Sequence, residues 1–194
     1  LIKKVLIINE NFARNISVDS QVSYLLEKAV EKQRSLRGEF LKRGKEINPL
    51  IIIQIPNKSR LLQEEVEQYL QKHGLTYENG RLAVWLSDKK EILEGIEEKK
   101  GRQEAVIIKQ AVATGWDCPR AYILVKLRDN MNETFEVQTI GRIRRMPEAM
   151  HYENDLLDSC YLYTLDEKFT EGVRHHLGRN ALDAMTLSLK PEFH

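Results

Sequence analysis

Ala105-Val-Ile-Ile-Lys-Gln-Ala-Val-Ala-Thr-Gly-Trp-Asp-Cys-Pro119-Arg-Ala-Tyr-Ile-Leu-Val125 reads as strand, loop, strand. Its two apolar runs are Val106 to Ile108 and Tyr122 to Val125, and between them sits Gly115-Trp116-Asp117-Cys118-Pro119. Gly115 permits a tight loop. A little further on comes Gln138-Thr-Ile-Gly141-Arg142-Ile-Arg144-Arg145. The helix predicted over about Thr134 to Arg145 places Gln138, Arg142 and Arg145 at i, i+4 and i+7, on one face. Ile140 and Ile143 fall on the opposite, apolar face, and Gly141 leaves room beside the polar one. Pro147 stops the helix. Two guanidiniums on one face suit a polyanion such as a nucleoside triphosphate. The plainer alternative is a solvated basic helix docked by its isoleucines.

Upstream, the pattern alternates strand and helix. Leu50 to Ile55 is a nearly continuous apolar run, as expected of a strand buried on both faces of a parallel sheet. Pro56 to Ser59 reads as a turn, Leu61 to Lys72 as an amphipathic helix stopped by His73-Gly74, and Leu82 to Leu86 as the next strand. Asp88 with Glu91 suggests a capped helix through Glu98, closed by Gly101. Tyr161 to Leu165 is the last predicted strand. Near the start, Lys4 to Ile8 reads as a strand. Asp19 or Ser20 would cap a helix running to about Arg37, with Val22, Leu25, Leu26, Ala29 and Val30 as its apolar stripe. The basic, Gly-punctuated stretch Arg34 to Lys45 reads as helix end and linker. Such alternation implies an α/β fold, a parallel sheet with helices on both faces and right-handed crossovers. In such sheets ligands gather beyond the carboxyl ends of the strands, and the turns at 56–59, 87–88 and 109–119 can share that edge.

The formal net charge of +1 over 194 residues announces no global attraction to nucleic acid, although a local basic face can coexist with acidic helices. The two cysteines, Cys118 and Cys160, lie at no metal-ligand spacing, and free thiols in a reducing, cytoplasmic compartment are expected. No run is long and apolar enough for a membrane span, so no membrane partner is expected. The abrupt termini read as those of a fragment of a larger protein.

The Thr-Gly-Trp-Asp-Cys-Pro loop between strands, followed by Gln-x-x-Gly-Arg-Ile-Arg-Arg-Met-Pro, resembles motifs V and VI of superfamily 2 helicases. It is most similar to the ATP-driven Res subunit of type III restriction enzymes and related DNA translocases. The resemblance is sharp over residues 104–148 and looser over 49–103. It implies a RecA-like sandwich, the second motor domain of such an enzyme, at residues 49–168. Residues 1–48 would then be an N-terminal extension (strand, long amphipathic helix and linker to a first motor domain), and 169–194 a tail leading to a further region. The implied cofactor is ATP with Mg2+, most of whose ligands would lie on the N-terminal RecA-like domain of the parent chain. Arg145 matches the last motif VI arginine, which reaches the γ-phosphate across a cleft. Arg142 matches the motif's other phosphate-contacting arginine, and Gln138 the glutamine coupling nucleotide to the interface. Asp117 matches the motif V aspartate near the ribose or the coupling network, with an Asx-type turn before Pro119 as the alternative. Arg144 is assigned to solvent or DNA, and Trp116 to packing.

Duplex DNA is the implied polymer partner, and a DNA-modification methyltransferase subunit a further one. Sequence-independent tracking would use Asn57, Lys58, Ser59, Ser87, Lys109 and Thr114 on the strand-end loops, where ordinary turn chemistry competes with DNA contact. Lys109 and Thr114 depart from the residues common at their places in other helicases. No Gly-x-x-x-x-Gly-Lys-Ser/Thr and no Asp-Glu-x-His string is present, so no phosphate cradle or metal site is expected in this chain. Hydrolysis by the chain alone is therefore not expected. A nuclease reading rests on Glu148 and Asp166-Glu-Lys168. A non-enzymatic alternative is an inactive RecA-like module that binds nucleic acid or protein.

Overall fold

The computed structural model describes residues 4–109, 116–127 and 140–177. Seven strands among them form one sheet: β1 Val5–Ile8, β2 Leu50–Gln54, β3 Leu82–Trp85, β4 Lys90–Glu91, β5 Ala105–Ile108, β6 Ala121–Lys126 and β7 Ser159–Thr164. Their order is β1-β7-β6-β2-β5-β3-β4. Every neighbouring pair is parallel except the edge hairpin β3–β4. The helices are α1 Gln21–Lys42, α2 Arg60–Lys72 and α3 Glu167–Leu177. This is the expected α/β architecture, a largely parallel sheet flanked by helices.

The continuous apolar runs are explained by cover on both faces of the sheet. All residues of β2, β5, β6 and β7 are buried. In register, Ile51 lies opposite Ala105 and Ile123, and Ile53 opposite Ile107 and Val125. These residues share a core with Leu25, Leu26, Ala29, Leu36 and Phe40 of α1 and Val66 and Leu70 of α2. Alternate residues turn the other way: Leu50, Ile52, Ala83, Val106 and Leu124 share a second core with Ile96, Trp116, Ile140, Ile143 and Phe169. Long helices thus cover the first face, and loops and shorter helical pieces cover the second.

Three predicted elements differ in the structure. The helix expected over 88–98 is absent: Lys90 and Glu91 pair with Trp85 and Val84, and turns follow. Ile92 (φ 61°) and Gly95 (φ 73°) are left-handed, which a helix cannot accommodate. Conversely, α1 runs on through the supposed linker to Lys42, because Gln33, Leu36 and Phe40 continue its buried stripe. The helix bearing the arginines is helical at 140–143 and gives way to a turn at Arg144, so Arg145 lies beyond it. Nothing about 128–139 falls within the described residues.

The described part of residues 1–48 is integral to the sheet. β1 pairs with β7 from Val5↔Ser159 to Ile8↔Leu162, and α1 packs over β2, β6 and β7. α3 begins at Glu167 and packs Phe169 and Val173 into the second core.

Buried cations stitch the amino edge of the sheet. Arg120, 1% exposed, donates from Nε to the Ile96 carbonyl (2.8 Å) and from Nη1 to the Asn48 and Gln103 carbonyls (both 2.7 Å). Its Nη2 reaches Gln103 Oε1 at 3.2 Å. Lys4 donates to the Pro119 (3.1 Å) and Ala121 (2.8 Å) carbonyls, with its ammonium 3.5 Å from the centre of the Tyr122 ring. Together they fix the turn that carries residues 116–120.

Candidate functional site

The chain from Trp116 to Cys118 lies across the second face. Trp116 is 7% exposed and meets Trp85 edge to face, with ring centres 5.7 Å apart. Cys118 is buried, its Sγ donating to the Ile96 carbonyl and its own carbonyl accepting from Ala121 N–H at the start of β6. Burial pushes the Cys118 thiol up to about 11 and the Cys160 thiol up to about 12. Both cysteines are free, as expected. A buried thiol held this far up is a poor nucleophile, so both serve as packing.

Ile140 and Ile143 dock the helical residues 140–143 beside this segment, at 1% and 0% exposure. The apolar face is therefore the one foreseen, and the arginines point the other way. Arg142 Nη1 donates to the Trp116 carbonyl at 2.9 Å, and its guanidinium lies 5.7 Å from the Trp116 ring centre. Burial lowers the Arg142 pKa, and Asp117 opposes that shift. Arg145 Nη1 forms an ion pair with Asp117 Oδ2, the side chains being 40% and 47% exposed. Two polar atoms here, Arg145 Nε and Trp116 Nε1, are buried without a hydrogen-bond partner among the described residues. A Cβ at Gly141 would meet nothing within 4 Å, so the surface beside Arg142 is open.

Arg144, assigned to solvent or DNA, is half-buried and tied in part to the backbone. Its Nε donates to the Lys4 carbonyl at 3.2 Å, and its own carbonyl accepts from Lys4 N–H at 2.7 Å. Lys4 immediately precedes β1, so this junction marks the amino edge of the sheet. The loop 109–119 was expected to be able to share the carboxyl edge with the turns at 56–59 and 87–88. Lys109 leaves from the end of β5, whereas 116–119 crosses towards the amino edge. The segment thus runs from Trp116, packed on Trp85 at the end of β3, to Pro119 beside Lys4 at the amino edge.

At the carboxyl edge, Asn57, Lys58 and Ser87 are exposed and Lys109 is half-buried. Ser59 Oγ donates to the Pro56 carbonyl, which closes the turn, and Lys58 is left-handed at φ 55°. These residues share one edge, as the turns predicted. Gln138, Gly115 and Thr114 lie outside the described residues. Sequence reading passed over Gln54, at the end of β2 on the same edge. It is 0% exposed, and both its amide atoms lack a partner among the described residues. A buried polar group without a partner is rare enough to need a reason. The available signal was a glutamine closing an otherwise aliphatic run.

The acids of the nuclease reading are held at opposite edges. Glu148 binds Lys45 (2.8 Å) and accepts from the Tyr152 hydroxyl (2.9 Å) near the amino edge. Asp166, just past β7 at the carboxyl edge, pairs with buried Lys126 and accepts from Phe169 N–H at the start of α3. No group of three or more metal-ligating side chains occurs among the described residues. The cluster's own donors fit a phosphate: two guanidiniums and one orphaned N–H. Among the described residues the one carboxylate seen pairing there is Asp117, which alone is not a Mg2+ ligand set. No helix among the described residues is long and apolar enough to cross a membrane.

No protein-family model and no curated protein matches the chain. Solved structures of similar shape include the C-terminal domain of Saccharomyces cerevisiae Dbp5 bound to Gle1 and IP6. It is 14% identical, with a TM-score of 0.46, over 89% of this chain and 81% of that one. A longer S. cerevisiae Dbp5 chain, also bound to Gle1 and IP6, is 15% identical with a TM-score of 0.48, over 77% and 37% of the two chains. The C-terminal part of the Fun30 ATPase domain is 13% identical with a TM-score of 0.43, over 80% and 47%.

Proposed function

We propose that this chain is the second motor domain of a superfamily 2 ATP-dependent DNA translocase of the type III restriction Res kind, working with a first RecA-like domain that holds most of the nucleotide. The observation that carries this reading is the convergence of Arg142 and Arg145 on Trp116 and Asp117, with Arg145 Nε unpartnered and its side chain 40% exposed. Phosphoryl transfer asks a protein mainly for positioning and for cations at the developing charge. ATP supplies the transferable phosphoryl group. Arg145 would leave Asp117 to meet its oxygens, while Arg142, braced by the Trp116 carbonyl and ring, would hold a second position. Asp117 keeps Arg145 extended in the meantime and limits the entropy lost when phosphate arrives. Candidate DNA contacts are Asn57, Lys58, Ser59, Ser87 and Lys109 at the carboxyl edge. Closure and reopening against the first domain would ratchet these loops along the DNA.

The test compares ATP hydrolysis by the chain alone and by the longer parent, each with and without duplex DNA. Activity confined to the parent, stimulated by DNA and reduced about 10³-fold or more by Arg145→Ala, is the expected result. Full turnover in the Arg145→Ala parent would remove the assigned role. One observation favours the second reading, an inactive nucleic-acid- or protein-binding module: Asp117 already neutralises Arg145. DNA binding by a parent that hydrolyses no ATP would select it.

A further inference from the structure

A cleft of about 680 Å³ opens on the α1 side of the amino edge, sharing no residue with the Arg142–Asp117–Arg145 cluster. Five cations line it: Arg34, Arg37, Arg81, Lys100 and Arg102. Its two carboxylates are already engaged. Glu104 is held by the Arg81 fork, with Nη2 at 3.0 Å, and Glu46 by Lys100 at 2.6 Å. The remaining three arginines have no carboxylate partner among the described residues. Arg37 Nη1 donates to Asn48 Oδ1 at 2.7 Å, and Arg34 Nη2 to the His73 carbonyl at 3.2 Å. Both acceptors are neutral, so the positive charge stays uncompensated.

The floor of the cleft is ordered. Gln33 and Asn48, 2% and 5% exposed, are bonded to each other at 3.0 Å, and Asn48 Nδ2 donates to the Gly101 carbonyl at 2.8 Å. Arg102 is laid along the backbone of Gly80, where a Cβ would come within 3.1 Å of its Cδ. Gly38 sits in the C-terminal part of α1, still within the helix, at the cleft wall, where a Cβ would meet nothing within 4 Å. No crowding requires a glycine there, and in a helix interior it costs roughly 1 kcal/mol against alanine. Like charges at i and i+3, as at Arg34 and Arg37, also weaken a helix. Two local penalties thus coincide at one wall, and both widen the cleft or raise its positive potential.

We propose that this cleft binds a small polyphosphate-bearing anion through Arg34, Arg37 and Arg102. Guanidinium forks match phosphate oxygens two at a time. The volume is that of a small-molecule pocket. The concave shape, floored by polar side chains, favours a compact ligand over a linear polymer. The phosphate chain could come from free polyphosphate or from a nucleotide. The proposal stands independently of the function assigned to Arg142 and Arg145.

The test is calorimetric titration of the chain with sodium tripolyphosphate, and separately with ATP without magnesium. One saturable site is expected. Arg37→Ala and Arg102→Ala should each weaken it about ten-fold, the loss of one charge-assisted contact. Arg37→Lys should recover part of the loss. Equal affinity for both ligands identifies the phosphate chain as the recognised group; stronger ATP binding identifies a nucleotide. Melting curves of the variants check that they fold; Arg37 and Arg102 are exposed. The proposal is overturned if neither ligand binds, or if binding vanishes in Arg145→Ala and survives in Arg37→Ala and Arg102→Ala. It is also overturned if a 20-base-pair duplex binds through these arginines while tripolyphosphate does not.

Discussion

Arg120 and Arg145 are both guanidiniums near the amino edge of one sheet, and they are held in opposite ways. Arg120 is 1% exposed and gives its N–H groups to three backbone carbonyls and one side-chain amide. Arg145 is 40% exposed, paired with one half-exposed carboxylate, and keeps an N–H without a partner. Saturation by fixed carbonyls makes a cation part of the architecture, since nothing can replace those acceptors without unfolding. A single, solvated, exchangeable partner leaves a cation available. The contrast separates residues that build the edge from residues that can act there.

The largest effect expected from breaking this contrast lies at Arg120. Arg120→Met removes the charge but strands the Ile96, Asn48 and Gln103 carbonyls in a buried site. A loss of about 3–5 kcal/mol in denaturant unfolding is expected. A loss below about 1 kcal/mol would mean that water replaces the guanidinium and that the knot is not structural. Gly101→Ala approaches the same knot from outside. Its Cβ would fall 2.5 Å from Arg120 Nη2 and 2.8 Å from the Gly95 carbonyl, and the second obstacle is backbone. A smaller loss, about 1–3 kcal/mol, is expected by the same measurement.

Lys4 extends the contrast to pH. Burial lowers its pKa from 10.5 to about 7, against nearby Cys160 and Cys118, which raise it. Between those two pH values the unfolded chain binds more protons than the folded one, so stability rises with pH; below about 7 both states are charged and the contribution is flat. From about 9 upward the raised thiols of Cys118 and Cys160 work the other way, because the folded state then holds the extra protons. The clear window is pH 7 to 9, where a gain on the order of 1–2 kcal/mol is expected in denaturation midpoints at fixed salt. Lys4→Met should flatten the slope. An unchanged slope would assign the pH dependence to other groups.

Sequence reading reached these places unevenly, for physical reasons. Leu50 to Gln54 and Ala121 to Lys126 were legible because burial on both faces demands an unbroken apolar run. The stripe of α1 was legible as far as Val30, but Arg34 to Lys45 was discounted as linker, although Leu36 and Phe40 keep the period past Gly38. The 88–98 helix failed because Asp88 and Glu91 imitate a capping pair, while pairing of Lys90–Glu91 with the sheet edge overrode local propensity. At the site, Arg142, Arg145 and Asp117 were each singled out, yet their mutual pairing was not, since nothing local brings the 116–118 turn to the end of the arginine helix. The tertiary constraint comes from Lys4 and Arg120, whose partners are mainly carbonyls, and carbonyls leave no mark in a sequence. Gln54 was missed because a single amide ending a strand has no pattern.

The smallest expected effect is the most discriminating. Asp117 and Arg145 are close to half exposed, so their attraction is screened and each is hydrated once apart. A double-mutant cycle of Asp117→Asn and Arg145→Ala should give a coupling of about 0.2–1 kcal/mol in unfolding free energy, shrinking as salt is raised. That is small enough for a phosphate to compete for Arg145, since a charge-assisted hydrogen bond alone contributes about 1.5–3 kcal/mol. A coupling above about 2 kcal/mol, insensitive to salt, would place Arg145 with Arg120 as a fixed part of the edge. The role assigned to Arg145 would then fall, whatever Arg142 does beside the Trp116 carbonyl.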